Sequence, residues 1–285
     1  MPDHSVTLDC RGKLLLLNQP CVMGILNITP DSFSDGGDFF SISAALQRAH
    51  AMAGEGAAII DIGGESTRPG AQAVGAEEEL RRVIPVIEKV RAELPVIVSI
   101  DTSKPEVMRA ALDAGAHMVN DVRALESPGA LEVMAEFNQR ESVPVCLMHM
   151  RGEPRTMQQN PVYTDVVAEV RDYLGERVSA CEHAGIARER IILDPGFGFG
   201  KTIAHNLALL KHLAQFSRSG MPVLAGLSRK SMLGELLDAP PQHRLYGSLA
   251  AAVLAAERGA RILRVHDVRA TVEALKIYSA VEYAN

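Results

Sequence analysis

The chain has only four cysteines, Cys10, Cys21, Cys146 and Cys181, and none stands in a C-x-x-C pair. That excludes a zinc ribbon or disulfide framework and leaves reduced, mostly buried thiols. The nine histidines supply no H-E-x-x-H or other clustered zinc pattern, so His117, His149 and His183 read as packing or surface residues. Lysine and arginine never gather into a stripe, and a formal charge of −6 with a pI near 5.9 excludes a nucleic-acid surface. No run approaches the roughly 18 apolar residues of a membrane span. The opening Met1-Pro2-Asp3-His4 lacks the charged and apolar regions of a secretory signal, so a cytoplasmic chain is expected. No Pro/Ser/Gly-rich linker or charge block divides the 285 residues, which are 47% hydrophobic and 22% charged, so they read as one domain. A nucleotide P-loop is missing too. Gly196-Phe197-Gly198-Phe199-Gly200-Lys201-Thr202 imitates one, but Pro195 occupies a required glycine position and Lys201 the third glycine of G-x-G-x-x-G.

What is present is a rhythm. Eight short apolar, often β-branched runs stop on a polar residue: Asn27, Asp61, Asp101, Asn120, His149, Asp194, Ser228 and His266. Parallel strands buried on both faces read this way, and in an α/β barrel their C-terminal ends line the active site. Helical patterns lie between the runs, over 77–94 (with Pro85 expected to kink it), 164–184, 244–258 and 267–283. Gly56, Gly115, Gly220 and Gly259 stand where helices should stop before the next strand. Ser103-Lys104-Pro105-Glu106 reads as a capping box, and Ser127-Pro128 as a second N-cap. Eight β/α repeats predict an α/β fold, a (β/α)8 TIM barrel over 21–285, with an open doubly wound sheet as the alternative. Residues 6–8 and 14–17, flanking a turn-like Asp9-Cys10-Arg11-Gly12, predict a β-hairpin within 1–20 that closes the barrel floor.

Long loops are expected after strands one, two and five. The first, through Thr29-Pro30-Asp31-Ser32-Phe33-Ser34-Asp35-Gly36-Gly37, exceeds what a βα connection needs, the usual mark of a functional loop. The Asn27 carboxamide oxygen before it suits Mg²⁺ beside a phosphate. After the second strand, Gly63-Gly64-Glu65-Ser66-Thr67-Arg68-Pro69-Gly70 combines close backbone approach with a planar fork for phosphate or carboxylate. Asp101, Asn120 and Asp194 converge on the mouth from three strands, and each needs a cation, a metal or a ligand donor. Lys230 or Arg264 neutralising Asp101 or Asp194 within the core is one answer. A flat heterocycle with amino and ring N–H donors and a carbonyl acceptor is another. Arg264 and His266 alternate with Leu263 and Val265, so they share the inner face and invite an anion.

Together the stretches 24–37, 63–70, Ser99-Ile100-Asp101-Thr102-Ser103-Lys104-Pro105, Asn120-Asp121, Leu147-Met148-His149-Met150, 193–201, Ser228-Arg229-Lys230-Ser231 and Arg264-Val265-His266-Asp267 closely resemble the bacterial dihydropteroate synthase family of pterin-binding TIM barrels. The resemblance implies condensation of 6-hydroxymethyl-7,8-dihydropterin diphosphate with 4-aminobenzoate, with Mg²⁺ at Asn27 and catalytic roles for Asp101, Asp35 and Lys230. It assigns the pterin to Asp101, Asn120, Met148, Asp194, Lys230 and Arg264. Diphosphate falls to Asn27, Arg68, Arg264 and His266. Phe33, Thr67, Arg68, Pro69, Phe199, Ser228 and Lys230 would hold 4-aminobenzoate, and sulfonamides would compete there. It also implies a homodimer through outer helices of the second half. Asp61 and His149 receive no firm role, Asp61 being expected to order neighbouring loops. The alternatives are a pterin-binding methyltransferase serving a corrinoid protein and a non-catalytic pterin-binding protein. The first would not need the Thr29-to-Gly37 loop, and decay of Asn27, Arg68 or Lys230 would mark the second.

Overall fold

A computed structural model of the chain describes residues 6–28, 37–65, 74–152 and 156–284. Eight strands close into a barrel in sequence order: β3 (Cys21–Asn27), β4 (Ile59–Gly63), β5 (Ile97–Asp101), β6 (Met118–Asp121), β7 (Val145–Met148), β8 (Ile191–Asp194), β9 (Val223–Ala225) and β10 (Ala260–Val265). All eight neighbouring pairs are parallel, and β10 pairs β3 to complete the ring. The open-sheet alternative is thereby set aside. Around the barrel run α1 (Gly37–Gly54), α2 (Ala76–Glu93), α3 (Pro105–Asp113), α4 (Ala130–Arg140), α5 (Val166–His183), α6 (Ile203–Lys211), α7 (Ala214–Ser217), α8 (Ser231–Leu237), α9 (Leu245–Glu257) and α10 (Val268–Glu282).

The expected hairpin is β1 (Thr7–Cys10) with β2 (Lys13–Leu16), turning through Arg11 and Gly12 at φ 55° and 83°. Two left-handed residues match the twist of paired strands. Its inner side chains, Leu8, Cys10, Leu15 and Leu17, plug the barrel floor against Met23, Ile59, Ile97, Met118, Cys146, Ile192, Leu224 and Ile262, one from each strand. Burying a large aliphatic side chain in this way contributes about 1.5–3 kcal/mol.

Strand alternation then fixes everything above the floor. Counting in twos from those eight residues gives a second inner layer of Ile25, Asp61, Ser99, Asn120, Met148, Asp194, Gly226 and Arg264, and a rim that includes Asn27, Gly63, Asp101, Ser228 and His266. The outward residues between them, such as Leu263 and Val265, join the helix-covered core.

Several boundaries differ from expectation. Asp61 does not end its strand: β4 continues to Gly63, so Asp61 lies one layer inside the mouth, opposite Ser99, and among the described residues its hydrogen bonds come from Asn120 and Arg264. Ser228 lies beyond the end of β9, on the turn into α8. Ser103 is not the cap of α3, which starts from Lys104 without a side-chain cap, because the Ser103 hydroxyl bonds the buried Asp121 carboxylate instead. Nor does Ser127 cap α4; its carbonyl accepts from Ala130, and Gly129 at φ 87° leads into the helix. Gly56, Gly115, Gly220 and Gly259 all take positive φ, as their helix-end placement requires. Pro85 lies within α2, which runs on through it.

Candidate active site

The barrel mouth holds a cavity of about 450 Å³. Of the residues expected at a site, Asn27, Asp101, Phe199, Ser228, Lys230, Arg264 and His266 line it. Asn120, Met148 and Asp194 belong to the layer below and are buried. Phe33, Asp35, Thr67, Arg68 and Pro69 lie outside the described residues.

Arg264 is the hub of the inner layer. Its Nε donates to Asp61 Oδ2 at 2.6 Å and its Nη2 to Asp101 Oδ2 at 2.5 Å, while Asn120 Nδ2 donates to the same Asp61 oxygen at 3.0 Å. The salt-bridged alternative for Asp101 is therefore realised, and Arg264 answers it. Burial pushes the Asp101 carboxyl up to about 7, against the pull of the Arg264 charge. The same two carboxylates hold the guanidinium above its ordinary value despite burial.

On the opposite wall, Asp194 Oδ1 accepts from Gly196 N–H at 2.7 Å. Burial raises the Asp194 carboxyl, with the Lys230 charge pulling it back. Lys230 Nζ donates to the Phe197 carbonyl and stands 4.6 Å from the centre of the Phe199 ring. Desolvation brings its ammonium down to about 8, with Asp194 resisting.

The turn that presents Lys230 is strained and heavily pinned. Arg229 sits at φ 57°, a left-handed conformation that costs a non-glycine residue about 1–2 kcal/mol. Ser248 Oγ accepts its N–H at 3.0 Å, Arg244 Nη1 donates to its carbonyl at 2.9 Å, and Asp267 pairs its guanidinium. The Ser228 hydroxyl meets His266 Nδ1 at 3.1 Å and accepts its backbone N–H at 3.2 Å, so two expected residues are tied together.

His149 and Lys201 are structural. The Lys201 ammonium is buried among four acceptors: His149 Nδ1 at 2.9 Å, the His149 carbonyl at 3.3 Å, and the carbonyls of Gly196 at 2.8 Å and Phe199 at 3.0 Å. Burial keeps His149 neutral, its pKa down to about 2, and its ring meets Tyr173 edge-on at 5.0 Å. The false P-loop is thus a loop wrapped around its own lysine. Replacing Lys201 by Met should strip the donor from three carbonyls and lower stability by about 3 kcal/mol, read from the urea midpoint; an unchanged midpoint would refute the role.

Some participants gave no local signal. Arg244 lines the cavity from the start of α9 and reaches the Lys230 turn across Gly234, where a Cβ would overlap its guanidinium. Lys104 joins Glu65 and the fully buried Glu79, each at 2.5 Å, while Glu65 also accepts from Val74 N–H at 3.0 Å. Asp61 did carry a signal, since Ile59, Asp61 and Gly63 follow the inward period of two.

The family model described as pterin binding enzyme matches residues 23–266. The dihydropteroate synthase of Escherichia coli (strain K12) is 56% identical over 273 residues, covering 96% of this chain and 95% of that protein. The solved structure of Xanthomonas albilineans dihydropteroate synthase with 4-aminobenzoic acid superimposes with a TM-score of 0.92 at 55% identity, covering 99% of this chain and all of that one. That of the Yersinia pestis enzyme with a sulfonamide drug gives 0.92 at 51% identity, covering 98% of this chain and all of that one.

Proposed function

The chain belongs to the pterin-binding enzymes, within them to the dihydropteroate synthases, and on that premise we propose how its residues divide the work of the reaction. The enzyme condenses 6-hydroxymethyl-7,8-dihydropterin diphosphate with 4-aminobenzoate and releases diphosphate, and sulfonamides compete for the 4-aminobenzoate position. Asp101, Asn120 and Asp194 accept from the pterin N–H groups, Lys230 donates to its carbonyl, and Met148 and Arg264 pack against the ring. Asn27, Arg68, Arg264 and His266 hold the diphosphate. Thr67, Pro69, Phe33, Phe199 and Ser228 border the 4-aminobenzoate, with Arg68 and Lys230 at its edge. The observation that carries this reading is the pattern of the upper barrel: three acceptors, Asp101, Asn120 and Asp194, and one lysine about a cavity that Arg264 and His266 also line.

Mg²⁺ fits as a guest of the substrate. The described residues contain no group of three His, Cys, Asp or Glu able to cage a metal, and Asn27 offers one neutral oxygen at the rim. A hard cation that keeps its waters and rides on diphosphate asks for little more, and when bound it would neutralise the leaving group.

With Arg264, His266 and Arg68 stabilising the departing diphosphate, the carbon–oxygen bond breaks largely ahead of attack by the aniline nitrogen. Asp101 and Asp35 then stabilise the positive pterin methylene, and no covalent enzyme intermediate forms. Assay of dihydropteroate from the two substrates tests the activity. Positional isotope exchange in bound pterin diphosphate without 4-aminobenzoate tests the dissociative order, and its absence together with no diphosphate release would reject that order.

Lys230 sets a pH limit. Its ammonium, brought down to about 8, is lost as pH rises through that value, so kcat/KM for pterin diphosphate should fall about tenfold per pH unit above it. A profile that stays flat well past that point would remove Lys230 as the donor. A homodimer through the outer helices is part of the same proposal, with exposed Leu254, Ile277 and Val281 on α9 and α10 as its apolar surface; sedimentation velocity tests it.

A further inference from the structure

Asn120 faces a choice that its own chemistry does not settle. A carboxamide presents an oxygen on one side and an NH₂ on the other, and a flip exchanges acceptor for donor with almost no change in shape. Beside it in the second inner layer sits Asp61, its side chain fully buried. Asp61 Oδ2 receives Arg264 Nε at 2.6 Å and Asn120 Nδ2 at 3.0 Å. A carboxylate held by a guanidinium has no proton to give, so it can only accept. Asn120 must therefore turn its nitrogen toward Asp61 and its oxygen away, and among the described residues that oxygen receives no hydrogen bond.

We propose that Asp61 is a positioning and specificity-determining residue: by fixing the Asn120 carboxamide it makes the site present acceptors only, from Asp101, Asn120 and Asp194, against the single donor Lys230. The site then selects a 2-amino-4-oxopteridine and rejects a 2,4-dioxopteridine, whose added carbonyl meets an acceptor. A freely flipping amide would serve either ring. This inference rests on the reading of those residues as pterin ligands.

Isosteric Asp61→Asn should preserve the selectivity. Arg264 is donor-only, so its Nε–H forces the new amide oxygen into the place of Oδ2, where it still accepts from Asn120. Asp61→Ala removes the acceptor and frees the flip. The measurement is the ratio of affinities for 6-hydroxymethylpterin and 6-hydroxymethyllumazine, by titration calorimetry on wild type and both variants.

The expected result is a strong wild-type preference for the pterin, kept in Asp61→Asn and reduced about tenfold or more in Asp61→Ala. A merely structural loss would lower both affinities and leave the ratio unchanged, which would overturn the proposal. A ratio lost as fully in Asp61→Asn as in Asp61→Ala would overturn it too, since charge rather than acceptor placement would then be at work. A wild type with no preference would instead overturn the pterin-ligand reading beneath it. Should Asp61→Ala fail to fold, neutron diffraction of the wild-type pterin complex decides. Deuterons of the Asn120 amide facing Asp61 support the proposal, and an Asn120 oxygen facing Asp61 overturns it.

Discussion

Arg264→Ala is expected to lower stability by about 3–5 kcal/mol and to abolish measurable turnover, two losses with one cause. The guanidinium bridges Asp61 and Asp101, whose side chains are 0% and 6% exposed. Removing it leaves two buried carboxylates without the cation they share, and among the described residues the nearest inner-mouth cation, Lys230, is already engaged with the Phe197 carbonyl beside Asp194.

The pH dependence of that loss has a definite sign. Burial already raises the Asp101 carboxyl to about 7 with Arg264 in place, and without the opposing charge it rises further. A carboxyl whose folded value is raised binds more protons in the folded state than in the unfolded one, so stability falls as pH rises through that window. The deficit of Arg264→Ala relative to wild type should therefore be smallest in mild acid, where Asp101 is protonated in both, and grow as pH rises above about 7, as measured by urea unfolding on either side of that value. A deficit that is small, or constant with pH, would show that the two aspartates do not depend on Arg264.

Much of this site could be read from the chain because a barrel translates sequence into position simply. A period of two and the end of a strand are both visible in residues such as Asp101, Asp194 and His266, and the glycines before the next strands marked where helices stop. The reading failed where position depends on something nonlocal. The period of two through Ile59, Asp61 and Gly63 gives Asp61 its inward face, but where β4 stops is decided by pairing of Gly63 with Asp101 across the sheet. Ser103 and Ser127 have the composition of helix caps, but the Ser103 hydroxyl is directed at the buried Asp121 carboxylate, a partner 18 residues further along the chain. Arg244 reaches the Lys230 turn only because Gly234, ten residues earlier, leaves room for its guanidinium. Spacing alone removed Lys201 from any phosphate loop, but nothing local announced the four acceptors that hold it.

Asp194→Ala should do to pterin recognition what Arg264→Ala does to the framework. One carboxylate oxygen caps Gly196 N–H, leaving the other as the acceptor offered to the ring. A hydrogen bond to a charged acceptor contributes about 1.5–3 kcal/mol, so pterin affinity should fall roughly 10- to 150-fold. Asp194→Asn should fare no better: its oxygen is drawn to the Gly196 N–H, which turns its NH₂ toward the ligand's own donors. The two variants differ from a general weakening in a second respect. Asp194 is the first of the charges that hold up the Lys230 ammonium against burial. Without it that ammonium is lost at lower pH, and the alkaline limb of kcat/KM should move down from about 8. Pterin binding within twofold of wild type, or a limb that does not move, would separate Asp194 from Lys230 and place recognition of the ring elsewhere in the mouth.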